Sequence, residues 1–211
     1  MPYSKAHKAR TRARIVAAAA RAFRAEGIGN VGIPALMRDA GLTHGGFYAH
    51  FANKEALVAE ACARGLSESS RAILAEAESQ PPDEALRLII RAYLSRGHRD
   101  NPATGCSIAA LGTEIAREPE EVRATFADVL RDYARRIAVY LPDAGDTERE
   151  EAALLLLSGM AGTLMVARAL DDRAQSDRLL LVARRLYMDA LGIAGPRLDG
   201  NAMLPPGEPP L

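Results

Sequence analysis

Between residues 10 and 26 the apolar positions Ile15, Ala18, Ala19, Ala22 and Phe23 recur every three or four residues, and Gly27 stands where the run stops. That period predicts a helix with one buried stripe, and a glycine just past its end is a stop signal. The pattern then shortens. Residues 32–40 predict a second, short helix with Pro34 in its first turn and Gly41 behind it, and a third helix begins with Thr43 as its cap. Asn53-Lys54-Glu55 opens a long fourth helix whose apolar face runs through Val58, Cys62, Leu66, Ser69, Ile73 and Ala77, until Pro81-Pro82 breaks it. Further helices are expected over 83–99, 104–117, 119–141, 147–170 and 175–193, with breaks at Asn101-Pro102, Glu118-Pro119, Pro142-Asp143 and around Asp171-Asp172. No stretch sustains an alternating, period-2 pattern, so the expected class is all-α. From residue 195 onward prolines and glycines predominate, and a disordered tail is expected over 195–211.

Two of these helices depart from the single-stripe pattern. Over 152–170 apolar residues surround the helix, and Ser158, Gly159, Ala161 and Gly162 form a small-residue patch suited to close approach. A helix that is apolar all round needs more than one neighbour. The last helix shows Leu179, Val182, Ala183, Leu186, Tyr187 and Ala190 on one face, with Leu180 and Leu191 extending to a second. An interface built from both helices of two subunits would bury all of these surfaces.

Length and composition add bounds. The 211 residues, 48% hydrophobic and 26% charged, fit a soluble globular protein of one ordinary domain or a small one joined to a larger. The chain shows no charged-then-apolar leader, and the charge-free run 152–167 falls short of a bilayer span, so a cytoplasmic protein with no membrane partner is expected. Two cysteines, Cys62 and Cys106, lack metal-site spacing and are too few for a disulfide framework. No metal or cofactor is expected. The net charge of zero conceals an asymmetry: residues 1–55 hold nine Lys/Arg against three Asp/Glu, and the remainder holds 18 against 24. A basic end on an otherwise acidic chain points to a polyanion partner at that end.

The stretch GLTHGGFYAHFANKEAL, residues 41–57, places two glycines beside a histidine and two aromatic residues. Glycine costs a helix roughly 1 kcal/mol relative to alanine, so Gly45 and Gly46 make sense where a short helix brings its backbone close to a partner. Phe47 and Phe51, four apart, can pin that helix to a core. A short helix, a tight turn and a second short helix make a helix-turn-helix, which lays its second helix in the DNA major groove. The run Ala40-Gly41-Leu42-Thr43, then Gly45-Gly46-Phe47-Tyr48-Ala49-His50-Phe51, then Asn53-Lys54-Glu55-Ala56-Leu57 resembles the DNA-binding signature of the TetR family of one-component transcriptional regulators. Gly32 stands where that family usually has a capping Ser or Thr. On this reading Thr43 and His44 are candidates for base-edge contacts, Tyr48 and Lys54 for phosphate contacts, and His50 for a phosphate or for supporting Tyr48.

The resemblance implies a helix-turn-helix domain over 1–55 and a helical effector-binding and dimerisation domain over 56–194. It implies a homodimer that binds a palindromic operator, most simply as a repressor, and that a small-molecule or thiol-reactive effector releases. Positions on the long helices that could line an effector pocket are Leu66, Ile73, Tyr93, Cys106, Leu111, Tyr133, Ile137 and Met160; each also fits plain core. Cys106 follows Thr104-Gly105 at a helix start and comes after Arg96, His98 and Arg99, a setting that favours thiolate. The segment Gly105-Cys106-Ser107-Ile108-Ala109-Ala110-Leu111 is similar to one in some TetR-type regulators that respond to oxidants and electrophiles. Cys62, on an apolar face, reads as a small hydrophobe. The rivals are a small helical enzyme using Cys106 or His98 and an interaction module without DNA. No nucleophile, base and orienter stand at useful spacing for the first, and the second needs neither the glycine pair nor the charge asymmetry.

Overall fold

The computed structural model describes residues 5–142 and 145–193. Its regular elements are α1 (Lys5–Glu26), α2 (Ile33–Asp39), a 3-10 helix (His44–Ala49), α3 (Lys54–Leu74), α4 (Pro82–Tyr93), α5 (Arg96–Asp100), α6 (Ser107–Ile115), α7 (Glu120–Ala138), α8 (Asp146–Ala169) and α9 (Arg173–Ala190). Every regular element among the described residues is helical, so the all-α class holds. The expected tail over 195–211 lies outside the described residues.

Local chemistry sets the boundaries. Gly27 (φ +87°) and Gly41 (φ +68°) take left-handed conformations that terminate α1 and α2, where an L side chain would be strained. Pro82 occupies the first turn of α4, where a missing N–H costs nothing. Asp172 caps α9 by accepting from the amides of Ala174 (2.8 Å) and Gln175 (3.2 Å).

The expected helix over 83–99 is in fact two. The chain breaks at Leu94-Ser95, because Ser95 Oγ accepts from the His98 amide at 3.0 Å and starts α5 as a separate turn. The third predicted helix is a 3-10 helix, tighter and shorter than an α-helix, and Thr43 at its start makes no side-chain capping bond.

The chain forms two compact units. The first holds the residues up to Ala72 together with Pro102–Arg136; the second holds Ile73–Asn101 and the chain from Ile137 onward. In the first, α1 packs on α2 and α6, and α2 packs on the 3-10 helix. Its core includes Ile15, Ala19, Phe23, Leu36, Met37, Phe47, Leu57 and Leu66, all at most 1% exposed. α1 contributes the stripe that its sequence spacing predicts.

In the second unit α8 packs along α9, α4 packs on α9 and α5 on α8. Three arginines bind this unit together. Arg99, 5% exposed, donates to Ser176 Oγ (2.8 Å), Asp177 (2.7 Å) and Asp100 (2.7 Å). Arg168 donates to the carbonyls of His98 (2.8 Å) and Arg99 (3.1 Å), and Arg184 donates twice to the Leu94 carbonyl. Arg99 is the buried one of the three, and its charge persists there because Asp100 and Asp177 pair with it. His98 is enclosed here too: its Nδ1 lies 2.6 Å from the Tyr93 carbonyl, and burial pushes its pKa down to about 4.

α8 buries Ala153, Leu156, Leu157, Met160, Ala161, Leu164 and Ala167 while leaving Leu154, Leu155, Met165 and Val166 exposed. Apolar residues thus do lie on both sides of it. With 24 residues and an 18-residue window of mean hydropathy 1.6 it is long and apolar enough to cross a membrane, a property that the core helix of a soluble protein shares. The charge-free run in the sequence understated it because a window of that kind tolerates a charge. Within the subunit α9 buries Ser176, Leu180 and Ala183 against α8 and α4, so Ala183 of the first expected face and Leu180 of the second are covered, while Leu181 and Leu186 are exposed.

Candidate nucleic-acid interface

The first unit presents the residues singled out in the sequence on one short segment. Phe47 (0% exposed) and Phe51 (2%) stack with ring centroids 5.4 Å apart and anchor the 3-10 helix. Held by that pair, Thr43, His44, Gly45 and Tyr48 are all exposed. The Tyr48 ring rests edge-on against Phe47 at 5.2 Å and faces His44 at 6.4 Å, so its phenol projects outward, 63% exposed. The two glycines differ. A Cβ at Gly45 would meet nothing within 4 Å, whereas one at Gly46 would touch Met37 Cε and Thr43 Oγ1 at 3.7 Å. Gly45 therefore keeps open space on the outside, and Gly46 brings the segment close to α2.

Lys54 and His50 are less free than the sequence implies. Lys54 Nζ donates to the Ile28 carbonyl at 2.7 Å, so one of its three N–H groups holds the α1–α2 turn. The N-terminus of α3 is meanwhile capped from within, by Asn53 Oδ1 on the Ala56 amide at 2.9 Å. His50 is half-buried with Nδ1 enclosed and without a partner, and desolvation together with the charges of Lys8 and Arg12 lowers its pKa.

Three arginines of the basic segment are tied by hydrogen bonds to other parts of this unit. Arg12 spans α1, the 3-10 helix and α3: Nη1 donates to the His50 carbonyl, Nε and Nη2 to the Glu60 carboxylate, and the guanidinium lies 4.1 Å from the Phe51 ring centre. Arg14 Nη2 donates to the Ala40 carbonyl at 2.7 Å, fixing the end of α2. Arg24 is 5% exposed. Lys5, Lys8, Arg10, Arg21 and Arg38 are exposed and carry the outward charge.

The turn between α1 and α2 is held from both sides. Glu114 Oε2, on α6, accepts from the Ile28 amide at 2.7 Å and the Gly29 amide at 3.2 Å, while Lys54 holds the Ile28 carbonyl. A groove of about 340 Å³ opens here, lined by Ile28, Gly29, Lys54, Val58, Glu114 and Arg117 among others. None of the positions expected to line an effector pocket lines it. The roles of Arg12, Glu60 and Glu114 were not visible in the sequence, because their partners lie 38 to 86 residues away.

The expected pocket positions divide between the units. Leu66, Cys106, Leu111 and Tyr133 lie in the first, and Ile73, Tyr93, Ile137 and Met160 in the second. All are buried to 1% exposure or less except Ile73, which is half-buried. Cys106 is the N-cap residue of α6 and is fully buried. Cys62 is buried as expected, and desolvation pushes its thiol up to about 12. Among the described residues no group of three or more His, Cys, Asp or Glu could hold a metal ion.

Two family models match the chain: that of the bacterial regulatory proteins of the tetR family over residues 15–61, and the tetracyclin repressor-like C-terminal domain over 82–182. Solved structures share the fold. NemR of E. coli in its reduced form superposes with a TM-score of 0.71 at 18% identity, over 85% of this chain and 96% of that one. A TetR-family regulator from Cytophaga hutchinsonii gives 0.68 at 20% identity over 90% and 98%, and one from Chloroflexus aurantiacus J-10-FL gives 0.62 at 24% over 86% and 96%. No functionally curated protein matches the chain. With the helix-turn-helix in the first 60 residues and the C-terminal model beyond it, the chain belongs to the TetR family of transcriptional regulators, DNA-binding proteins and not enzymes.

Proposed function

We propose that the protein is a homodimeric repressor that binds a palindromic operator through its DNA-binding part, residues 1–55, and leaves it when a small molecule occupies the effector-binding part, residues 56–194. The observation that carries the reading is the exposed row Thr43, His44, Gly45 and Tyr48 over a buried phenylalanine pair, with open space above Gly45. Thr43 and His44 read base edges, Tyr48 holds a phosphate, and Lys54 reaches a second phosphate with the donors that Ile28 leaves it. Two such units must stand about one DNA turn apart, roughly 34 to 36 Å. An effector acts by binding a spacing that does not match better than one that does.

The test is a gel-shift with the DNA upstream of its own coding region, across a salt series. Tyr48→Phe and Lys54→Ala should weaken binding to every sequence alike, and His44→Ala should alter base preference. Normal affinity after replacing Tyr48 and Lys54 together would remove the site.

The exposed apolar residues of α8 and α9, Leu155 (74%), Leu186 (58%) and Met165 (48%) among them, favour dimerisation through this pair of helices. A side chain at Gly162 would meet nothing of its own subunit within 4 Å. Gly162→Glu should therefore leave the subunit folded and give monomers in sedimentation, and a dimer would count against this interface. For the effector, full burial of Cys106 favours a non-covalent ligand over a thiol-reactive one. Maleimide titration of wild type, Cys106→Ser and Cys62→Ser with operator release as readout separates the two. Release that depends on Cys106 would restore the thiol reading.

A further inference from the structure

We propose that Arg24 Nη1 and Ser107 Oγ are the donor pair of a buried subsite for a carboxylate group at the start of α6. Arg24 is 5% exposed and Ser107 wholly buried, and both of these atoms are enclosed without a hydrogen-bond partner. They lie side by side against the α3 backbone: a Cβ at Gly65 would come within 1.9 Å of Arg24 Nη1 and 2.7 Å of Ser107 Oγ. Gly65 on α3 is what lets the guanidinium lie there.

The rest of the guanidinium is accounted for. Its Nε donates to the Ala103 carbonyl at 2.8 Å, which fixes its orientation toward α6. The carboxylate that favours the Arg24 charge most, Glu68, is engaged by Arg64 Nε at 2.7 Å. Desolvation accordingly outweighs every favourable charge around Arg24, and its pKa is lowered. A buried cation without an anion is costly, and a buried hydroxyl without a partner adds to that cost.

The backbone points the same way. α6 is nine residues long, and Cys106 at its N-cap makes no side-chain capping bond, so its first amides face an uncapped end. A third orphan donor, the Tyr133 hydroxyl on α7, is also buried in this unit. Two donors with acidic hydrogens side by side suit the two oxygens of a carboxylate. An acid-bearing small molecule is therefore the ligand class. Its role as an effector rests on the proposed function above; binding at the subsite does not.

The probes are sodium acetate and sodium propionate, compared with acetamide and sodium chloride at matched ionic strength. Binding is read by calorimetry and by thermal unfolding of the full chain, and operator affinity is measured separately. The wild type should show carboxylate-specific heat and a Tm that rises with the logarithm of carboxylate concentration. Ser107→Ala should bind roughly tenfold more weakly, and Arg24→Gln should lose the effect. Should Arg24→Gln fail to fold through loss of the Ala103 bond, Gly65→Ala, which displaces the guanidinium, provides the second variant and should also lose it. Equal responses to acetate, acetamide and chloride, or an acetate response unchanged in Ser107→Ala, would overturn the subsite and leave Arg24 and Ser107 satisfied by water or by each other. Carboxylate binding without operator release would support the subsite and remove only the effector role.

Discussion

Removing the Glu114 carboxylate should loosen the turn between α1 and α2 more than its half-exposed position suggests. Its Oε2 accepts from the Ile28 amide at 2.7 Å and from the Gly29 amide at 3.2 Å. Ile28 is 4% exposed, so its amide has little access to water once the carboxylate is gone. A hydrogen bond to a charged acceptor contributes about 1.5–3 kcal/mol, and a partly buried amide left alone costs a similar amount. The Gly29 bond is longer and exposed and adds little. Glu114→Ala should therefore cost about 2 kcal/mol in urea unfolding, and roughly 4 to 8 °C in Tm for a chain of this size. Glu114→Gln keeps a neutral acceptor and should recover about half. The specific readout is amide exchange at Ile28, which should rise in Glu114→Ala while the amides of α9 stay as they were. A loss below about 0.5 kcal/mol with unchanged exchange at Ile28 would refute the reasoning, since solvent would then be replacing the carboxylate without penalty.

Acidification should destabilise the protein as His98 gains a proton that only the unfolded chain binds readily: its folded pKa is about 4 against an ordinary 6.5, so the contribution is full above pH 6.5 and lost as pH falls toward 4. It amounts to at most about 3 kcal/mol, and His98→Phe should flatten urea-unfolding stability across that window, apart from the smaller drift of His50, which shifts in the same direction. Asp100, held down at about 2 by Arg99, keeps its contribution throughout that window and loses it only as pH falls from 3.8 toward 2. Gly159→Ala should gain about 1 kcal/mol of helix propensity yet collide with Tyr187, whose hydroxyl lies 2.5 Å from the new Cβ; thermal unfolding should show Gly159→Ala with Tyr187→Phe to be more stable than Gly159→Ala alone. Arg12→Met should lower stability by about 1–2 kcal/mol, because it frees the Glu60 carboxylate and the His50 carbonyl together, with denaturant midpoint as the measurement.

Helix existence was legible because each helix carries its own period: the Ile15, Ala19, Phe23 stripe reads as buried and is buried. Two glycines at φ +87° and +68° were legible as stops for the same local reason. What a local period cannot contain is the far partner. The break at Ser95 needed a side chain competing with the helix backbone, and nothing in the apolar spacing of 83–99 marks it. Thr43, a good capping residue by type, makes no such bond because the segment winds as a 3-10 helix under two packed phenylalanines. Lys54 reads as a free cation until the chain folds and brings the Ile28 carbonyl within 2.7 Å. On α9 the sequence offers apolar residues on two faces, and only contact with α8 and α4 decides that Leu180 is covered and Leu186 is not.

The arginines of the basic segment that are hydrogen-bonded within the fold make stability and DNA affinity separately adjustable in this protein. Counterion release depends on the phosphates a protein neutralises, and a guanidinium already committed to a carbonyl or a carboxylate neutralises none. Arg12, Arg14 and Arg24 are so committed, at least in part, whereas Lys5, Lys8, Arg10, Arg21 and Arg38 face outward. An engineer seeking a weaker or less salt-sensitive DNA complex would therefore edit those five and leave the folded unit intact. A random screen for loss of DNA binding would collect the three bonded arginines as well, and would mistake instability for lost contact with DNA.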